Sequence, residues 1–109
     1  MISADFIRGY VDLLVLESLL DQPSYGYAIS KRIEELSRGQ YEMKETTLYS
    51  AVRRLEKTGA VTSFQGTHSQ GRARTYYRLT EFGRRFYDEK CEEWRQTVAL
   101  VGRFVRDPH

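Results

Sequence analysis

Apolar residues crowd the first twenty positions and then thin into stripes. From Phe6 to Leu20 the pattern predicts a helix, and Tyr10, Val11, Leu13, Leu14, Val15, Leu16, Leu19 and Leu20 surround much of its cylinder. A helix apolar on nearly all sides has to be buried on more than one of them. In a chain of 109 residues the second cover is expected from a partner subunit. Asp21, Gln22 and Pro23 then read as a turn, with Ser24 as the N-cap of a second helix. That helix sets Tyr25, Ala28, Ile29, Ile33 and Leu36 against Lys31, Arg32, Glu34 and Glu35, and Gly39 suits its C-terminus. After a link over 40–44, Leu48, Val52 and Leu55 recur at i, i+4 and i+7 and predict a third helix ending near Gly59.

The period then changes. Residues 60–65 are rich in β-formers, and 66–71 have turn composition. Residues 72–79 alternate, with Tyr77 and Leu79 on one face and Arg74, Tyr76 and Arg78 on the other, so a hairpin is predicted. Thr80 stands where a cap is needed before a helix over 81–105, in which Phe82 and Phe86 are expected to close the core over the hairpin. Tyr87, Cys91, Trp94, Val98, Val101 and Val105 repeat at 4-3-4-3-4, a coiled-coil-like seam. The predicted fold is mainly α with a β-hairpin wing, a winged helix-turn-helix followed by one long C-terminal helix. Residues 1–79 form its DNA-binding domain, with the first helix also in a dimer interface, and 80–109 form a dimerisation helix. Helix three is expected in a major groove, braced by helix two.

Composition narrows the function classes. The apolar share of 40% is ordinary, and the net charge of +2 decides nothing. Its distribution says more: residues 44–78 carry +5 and the remainder −3. Positive charge gathered on one structural unit is the electrostatic footprint of a nucleic-acid binder. A solvated basic face without a partner is the alternative. A single cysteine excludes an intrachain disulfide and a cysteine-based zinc site. No basic segment followed by a long apolar run opens the chain, and Leu13–Leu20 is interrupted by Glu17 and too short for a bilayer. A cytoplasmic protein without a membrane partner is expected. No cluster at metal spacing, phosphate loop or nucleophile elbow is present, so no catalytic residue, metal or cofactor is expected.

Candidate chemistry gathers on the third helix and the hairpin. Lys44, Thr46, Thr47, Tyr49, Ser50, Arg53 and Lys57 offer hydroxyls, a phenol and cations suited to phosphate oxygens and base edges. Of these, Thr47, Tyr49, Ser50 and Arg53 are the expected groove contacts. Arg54 and Lys57 could meet phosphate, bases or nothing. Arg72, Arg74 and Tyr76 extend the set into the wing, where the two arginines would favour a narrow, negative minor groove. His68 at the loop tip reads as an exposed turn residue.

Five segments together resemble the PadR family of transcriptional regulators. They are Gly9 to Leu16, Pro23 to Ile29, Thr47-Leu48-Tyr49 with Arg53 to Glu56, Gly71 to Thr80, and Glu93-Trp94, in that order. The resemblance implies a homodimeric, DNA-binding repressor of the short subgroup, dimerising through its first and last helices. Phe6, Tyr10, Leu13, Cys91, Trp94, Val98, Val101 and Val105 are the expected dimer contacts. Ser50 stands where proline is frequent in the family, and Arg72 to Thr75 lacks one cation of the usual wing run, so the operator could differ. In some short relatives a tryptophan pair flanks a flat pore that takes planar aromatic or cationic drugs. Carried over, that implies an effector site at Trp94, Val98 and Leu14; the alternative is a Trp94 that simply fills the interface. Cys91 reads either as an oxidant sensor or, better, as a structural thiol. The expected partners are therefore double-stranded DNA, a second copy of the chain and a small planar aromatic or cationic effector. The rival functions are a protein-interaction module and a ligand-binding dimer with weak DNA binding.

Overall fold

The computed structural model describes residues 2–67, 71 and 73–108. In chain order its elements are α1 (Ala4–Ile7), a 3-10 turn (Arg8–Tyr10), α2 (Val11–Glu17), α3 (Gly26–Leu36), α4 (Glu45–Lys57), β1 (Val61–Thr67), β2 (Ala73–Leu79) and α5 (Glu81–Gly102). The element types and their order match the reading of the sequence. The first helix does not, because it is broken at Arg8–Tyr10 rather than continuous from Phe6. Gly9 lies inside the break, and glycine costs a helix interior about 1 kcal/mol relative to alanine. Ser3 caps the separated first turn by accepting from the Phe6 N–H at 3.4 Å.

The core is built where α2, α3, α4 and the hairpin converge. Val15, Leu16, Ile29, Leu55, Val52 and Val61 are its fully buried centre. Each faces inward from its element, and burying one such side chain stabilises by about 1.5–3 kcal/mol. Tyr10, Leu13 and Leu14 are only half-buried on the other side of the first helical segment. That leaves the second apolar face the sequence predicts without cover in a single chain.

Ser24 does not cap α3. Its backbone pairs with Tyr77, with N–H to O distances of 3.0 and 2.7 Å in the two directions. This short bridge adds a third backbone to the antiparallel β1–β2 pair, whose register sets Val61 opposite Leu79 and Phe64 opposite Tyr76. Tyr25 takes the N-cap position instead, in extended conformation. At the other end of α3, Arg38 and Gly39 both turn left-handed, at φ 54° and 75°. Helix α4 closes in a Schellman motif: Gly59, at φ 84°, donates to Glu56 O at 3.1 Å, and Ala60 donates to Leu55 O at 2.9 Å.

Thr80 caps α5 as predicted, its hydroxyl oxygen accepting from the Gly83 N–H at 2.9 Å. The capped first turn aims Gly83, rather than Phe82, at the hairpin. A Cβ on Gly83 would lie 2.0 Å from the Ala60 carbonyl oxygen. Phe86 packs half-buried on the core, while Phe82 stays 42% exposed and stacks on Phe86 at 5.8 Å. Helix α5 is also shorter than predicted. Val105 lies beyond Gly102, where the chain tightens into i to i−3 bonds (Arg103 N–H to Leu100 O, 3.2 Å; Phe104 N–H to Val101 O, 2.9 Å). Past Cys91 the apolar residues Trp94, Val98, Leu100 and Val101 are all exposed.

Candidate nucleic-acid interface

Helix α4 has two faces because its sequence has two patterns. Leu48, Ala51, Val52 and Leu55 enter the core. Thr46, Ser50, Arg53 and Lys57 are exposed, Thr47 and Tyr49 are half-buried, and Lys44 is exposed at the N-cap position. Arg54 belongs to neither group: it reaches back to α2 and pairs with Asp12. Among the described residues no carboxylate pairs with Lys44, Arg53, Lys57, Arg74 or Arg78. Those five cations remain available to an external anion.

Five of the expected contacts border two clefts. Thr46, Thr47 and Ser50 border one, together with Arg8, Val11 and Arg54. Tyr49 and Arg74 border the other, of about 310 Å³, with Tyr25, Tyr27 and Thr75. Tyr49 is also part of a helix–helix joint, since a Cβ on Gly26 would lie 2.5 Å from its hydroxyl oxygen. Beneath this cleft the buried Tyr77 phenol is pushed up, first by burial and then by Tyr49 and Glu56, with Arg53 acting the other way.

The outer face of the wing is an interlocked row. The bridge at Ser24 brings Tyr25 beside Tyr76, edge to face at 5.5 Å, and Tyr76 stacks on Phe64 at 5.6 Å. Arg74 lies over the Tyr25 ring at 4.2 Å and Arg78 over Phe64 at 4.5 Å. Gly66 leaves room for the Tyr76 ring, which a Cβ would approach to 2.6 Å. Arg72 and His68 lie outside the described residues. Sequence reasoning passed over Tyr25, Phe64, Arg78 and Arg8 as site residues. Strand alternation had already placed Arg78 on the face of Arg74 and Tyr76; nothing local announced that Tyr25 would join them.

A separate apolar groove of about 360 Å³ runs between α2 and α5. It gathers Tyr10, Leu13, Leu14, Cys91 and Trp94, together with Ile7 and Arg95. Trp94 is 46% exposed. Val98 and Val101 continue the exposed stripe beyond the groove, while Phe6 is 80% exposed and Val105 69%. The expected effector set is thus only partly assembled, with Trp94 and Leu14 together and Val98 outside. Tyr87 is hydrogen-bonded to Cys91, and that bond with burial pushes its phenol up to about 12. Among the described residues no group of three or more His, Cys, Asp or Glu could hold a metal ion, and no helix is long and apolar enough to cross a membrane.

The model of the transcriptional regulator PadR-like family matches residues 15–89. A transcriptional regulator from Clostridium thermocellum superposes with a TM-score of 0.88 at 48% identity, covering 97% of this chain and 100% of that one. A PadR family transcription regulator from Clostridium difficile gives 0.75 at 34% identity over 87% of this chain and 97% of its own. A transcriptional regulator of Mycobacterium tuberculosis is 38% identical over 80 residues, 73% of this chain and 71% of its own length.

Proposed function

The chain belongs to the PadR-like family of transcriptional regulators, and from that premise we propose that it is a homodimeric repressor reading a pseudo-palindromic operator. Regulation of transcription through DNA, rather than catalysis, is the activity of the family. The observation that carries the finer reading is α4 itself, whose outer face holds hydroxyls and unpaired cations on a rigid core-anchored helix beside an arginine-bearing wing. Lys44, Thr46, Thr47, Tyr49, Ser50, Arg53 and Lys57 make the α4 contacts, and Arg72, Arg74 and Tyr76 make those of the wing.

Dimerisation supplies the second reading head. The uncovered Trp94, Val98 and Val101 of α5 and the half-buried Tyr10, Leu13 and Cys91 support a two-fold seam, because apolar surface of this extent favours a partner over water. Residues 1–79 then act as the reading unit and 80–109 as the dimerisation helix. Half-sites lie about one or more helical turns (~10 bp) apart. Repression follows from occluding a promoter. A small planar aromatic or cationic effector in the groove at Trp94 and Leu14 would release the operator only by binding better to a state whose reading heads are misplaced.

The test is fluorescence anisotropy with labelled DNA from upstream of the protein's own gene, against scrambled DNA at physiological salt. Specific regulators exceed their own non-specific affinity by about a thousandfold or more. A gap of that order is expected. Equal affinity for both DNAs across candidate operators would overturn the repressor reading in favour of a protein-interaction module.

A further inference from the structure

We infer that Tyr25 is a positioning residue for DNA binding: its ring holds the Arg74 guanidinium in place as a ready-made backbone contact. The inference rests on the DNA-binding reading above.

Arg74 is half-buried, and no carboxylate among the described residues pairs with it. What it has instead is the Tyr25 ring, 4.2 Å from its Cζ. Contact through the flat face of a guanidinium leaves the N–H donors around its edge available. Arg74 lines the same cleft as Tyr49 of α4. A phosphate oxygen beside the groove entered by α4 would meet an arginine already in one orientation. The ordering of a long, flexible side chain would then not have to accompany binding.

Tyr25 is itself held from several directions. Its neighbour Ser24 is tied to β2 by two backbone hydrogen bonds, and its ring meets the Tyr76 edge at 5.5 Å. Tyr76 in turn stacks on Phe64, which lies under Arg78. On its other side, Gly26 packs under the Tyr49 hydroxyl. One tyrosine therefore links the bracing helix, the recognition helix and the wing, and sets where the wing's cation stands relative to α4. It does this through Arg74 and touches no base.

The experiment is a double-mutant cycle on the operator, with thermal melts as folding controls. A cation–π contact at an exposed site corresponds to about a two- to fivefold change in affinity per subunit. Tyr25→Leu is expected to weaken binding by that amount. In an Arg74→Ala background, Tyr25→Leu should change nothing further. The same penalty with and without Arg74, or no penalty at all, would overturn the positioning role while leaving the regulator reading intact. A second measurement needs neither DNA nor a variant: in the free wild-type protein the Arg74 side-chain protons should be shifted upfield by the ring current of Tyr25. Unshifted resonances overturn the stack directly. Wild-type protein that does not distinguish operator from scrambled DNA would instead sink the regulator reading, and this role with it.

Discussion

Replacing Arg53 and, separately, Arg54 by alanine should separate two kinds of cation that stand side by side on α4. Arg53 is exposed and has no carboxylate partner among the described residues, whereas Arg54 is paired with Asp12 of α2. Each phosphate neutralised on B-DNA contributes about 0.9 to the slope of log affinity against log salt, through counterion release. A two-fold dimer loses two contacts per substitution, so Arg53→Ala should lower the slope by about 1.8. Between about 50 and about 200 mM salt, the wild-type advantage over Arg53→Ala should then shrink about twelvefold. Arg54→Ala should leave the slope unchanged. Its effect falls on the fold instead, costing about 0.2–1 kcal/mol for a partly exposed pair. Anisotropy titrations at four or five salt concentrations decide the matter. Equal flattening by both variants would refute the reasoning, because Arg54 would then have to leave Asp12 for DNA. An unchanged slope for Arg53→Ala would remove that residue from the phosphate contacts.

Other perturbations address the scaffold and the seam. Gly83→Ala drives a Cβ to 2.0 Å from the backbone oxygen of Ala60, so the cost should reach the upper end of overpacking, about 3 kcal/mol. A fall in Tm of about 10 °C or more is expected, and a loss of only a degree or two would show that the joint yields easily. Trp94→Asp places a carboxylate in the proposed seam and should abolish the proposed dimer in sedimentation experiments; a persistent dimer would move the interface elsewhere. Tyr87, Tyr77 and Tyr41 are all pushed up from the usual phenol value, Tyr87 to about 12. A phenol raised by folding contributes stability that is complete below its unfolded value near pH 10 and is lost as pH rises through the folded one. Tyr87→Phe should therefore remove the highest-pH step of tyrosinate absorbance and reduce the loss of stability between about pH 10 and 12. A step that survives the substitution belongs to another tyrosine.

The elements were legible wherever one local pattern decided them. Leu48, Val52 and Leu55 announced both α4 and its inward face, and Thr80 announced the cap of α5. Alternation through Arg74 to Leu79 gave the hairpin its buried Tyr77 and its basic outer face. Misreadings arose where a distant strand or a competing turn intervened. Ser24 has the chemistry of an N-cap, yet its backbone is taken by Tyr77, a pairing with no local signature. Gly9 falls inside the leucine-dense helix that the pattern predicts from Phe6 to Leu20, but a 3-10 turn forms there. The heptad count carried the predicted helix on to Val105, whereas α5 ends at Gly102. At the candidate site, α4 was readable because all its residues come from one helix. The aromatic row was not, since Tyr25 joins Tyr76 only after the chain has folded back across the intervening helices.

That same Ser24–Tyr77 pairing bears on the order in which the molecule assembles. It closes a long loop containing α3, α4 and β1, and the entropy of closing such a loop must be met before the contact gives anything back. The two hydrogen bonds are therefore expected to form late, after the hairpin and the helix pair have made their more local contacts. Amide exchange at Ser24 and Tyr77 should track global unfolding, while the free end of α5 exchanges by fraying in a chain without its partner. Exchange of that kind would mean that the wing leaves its helices only by melting the domain.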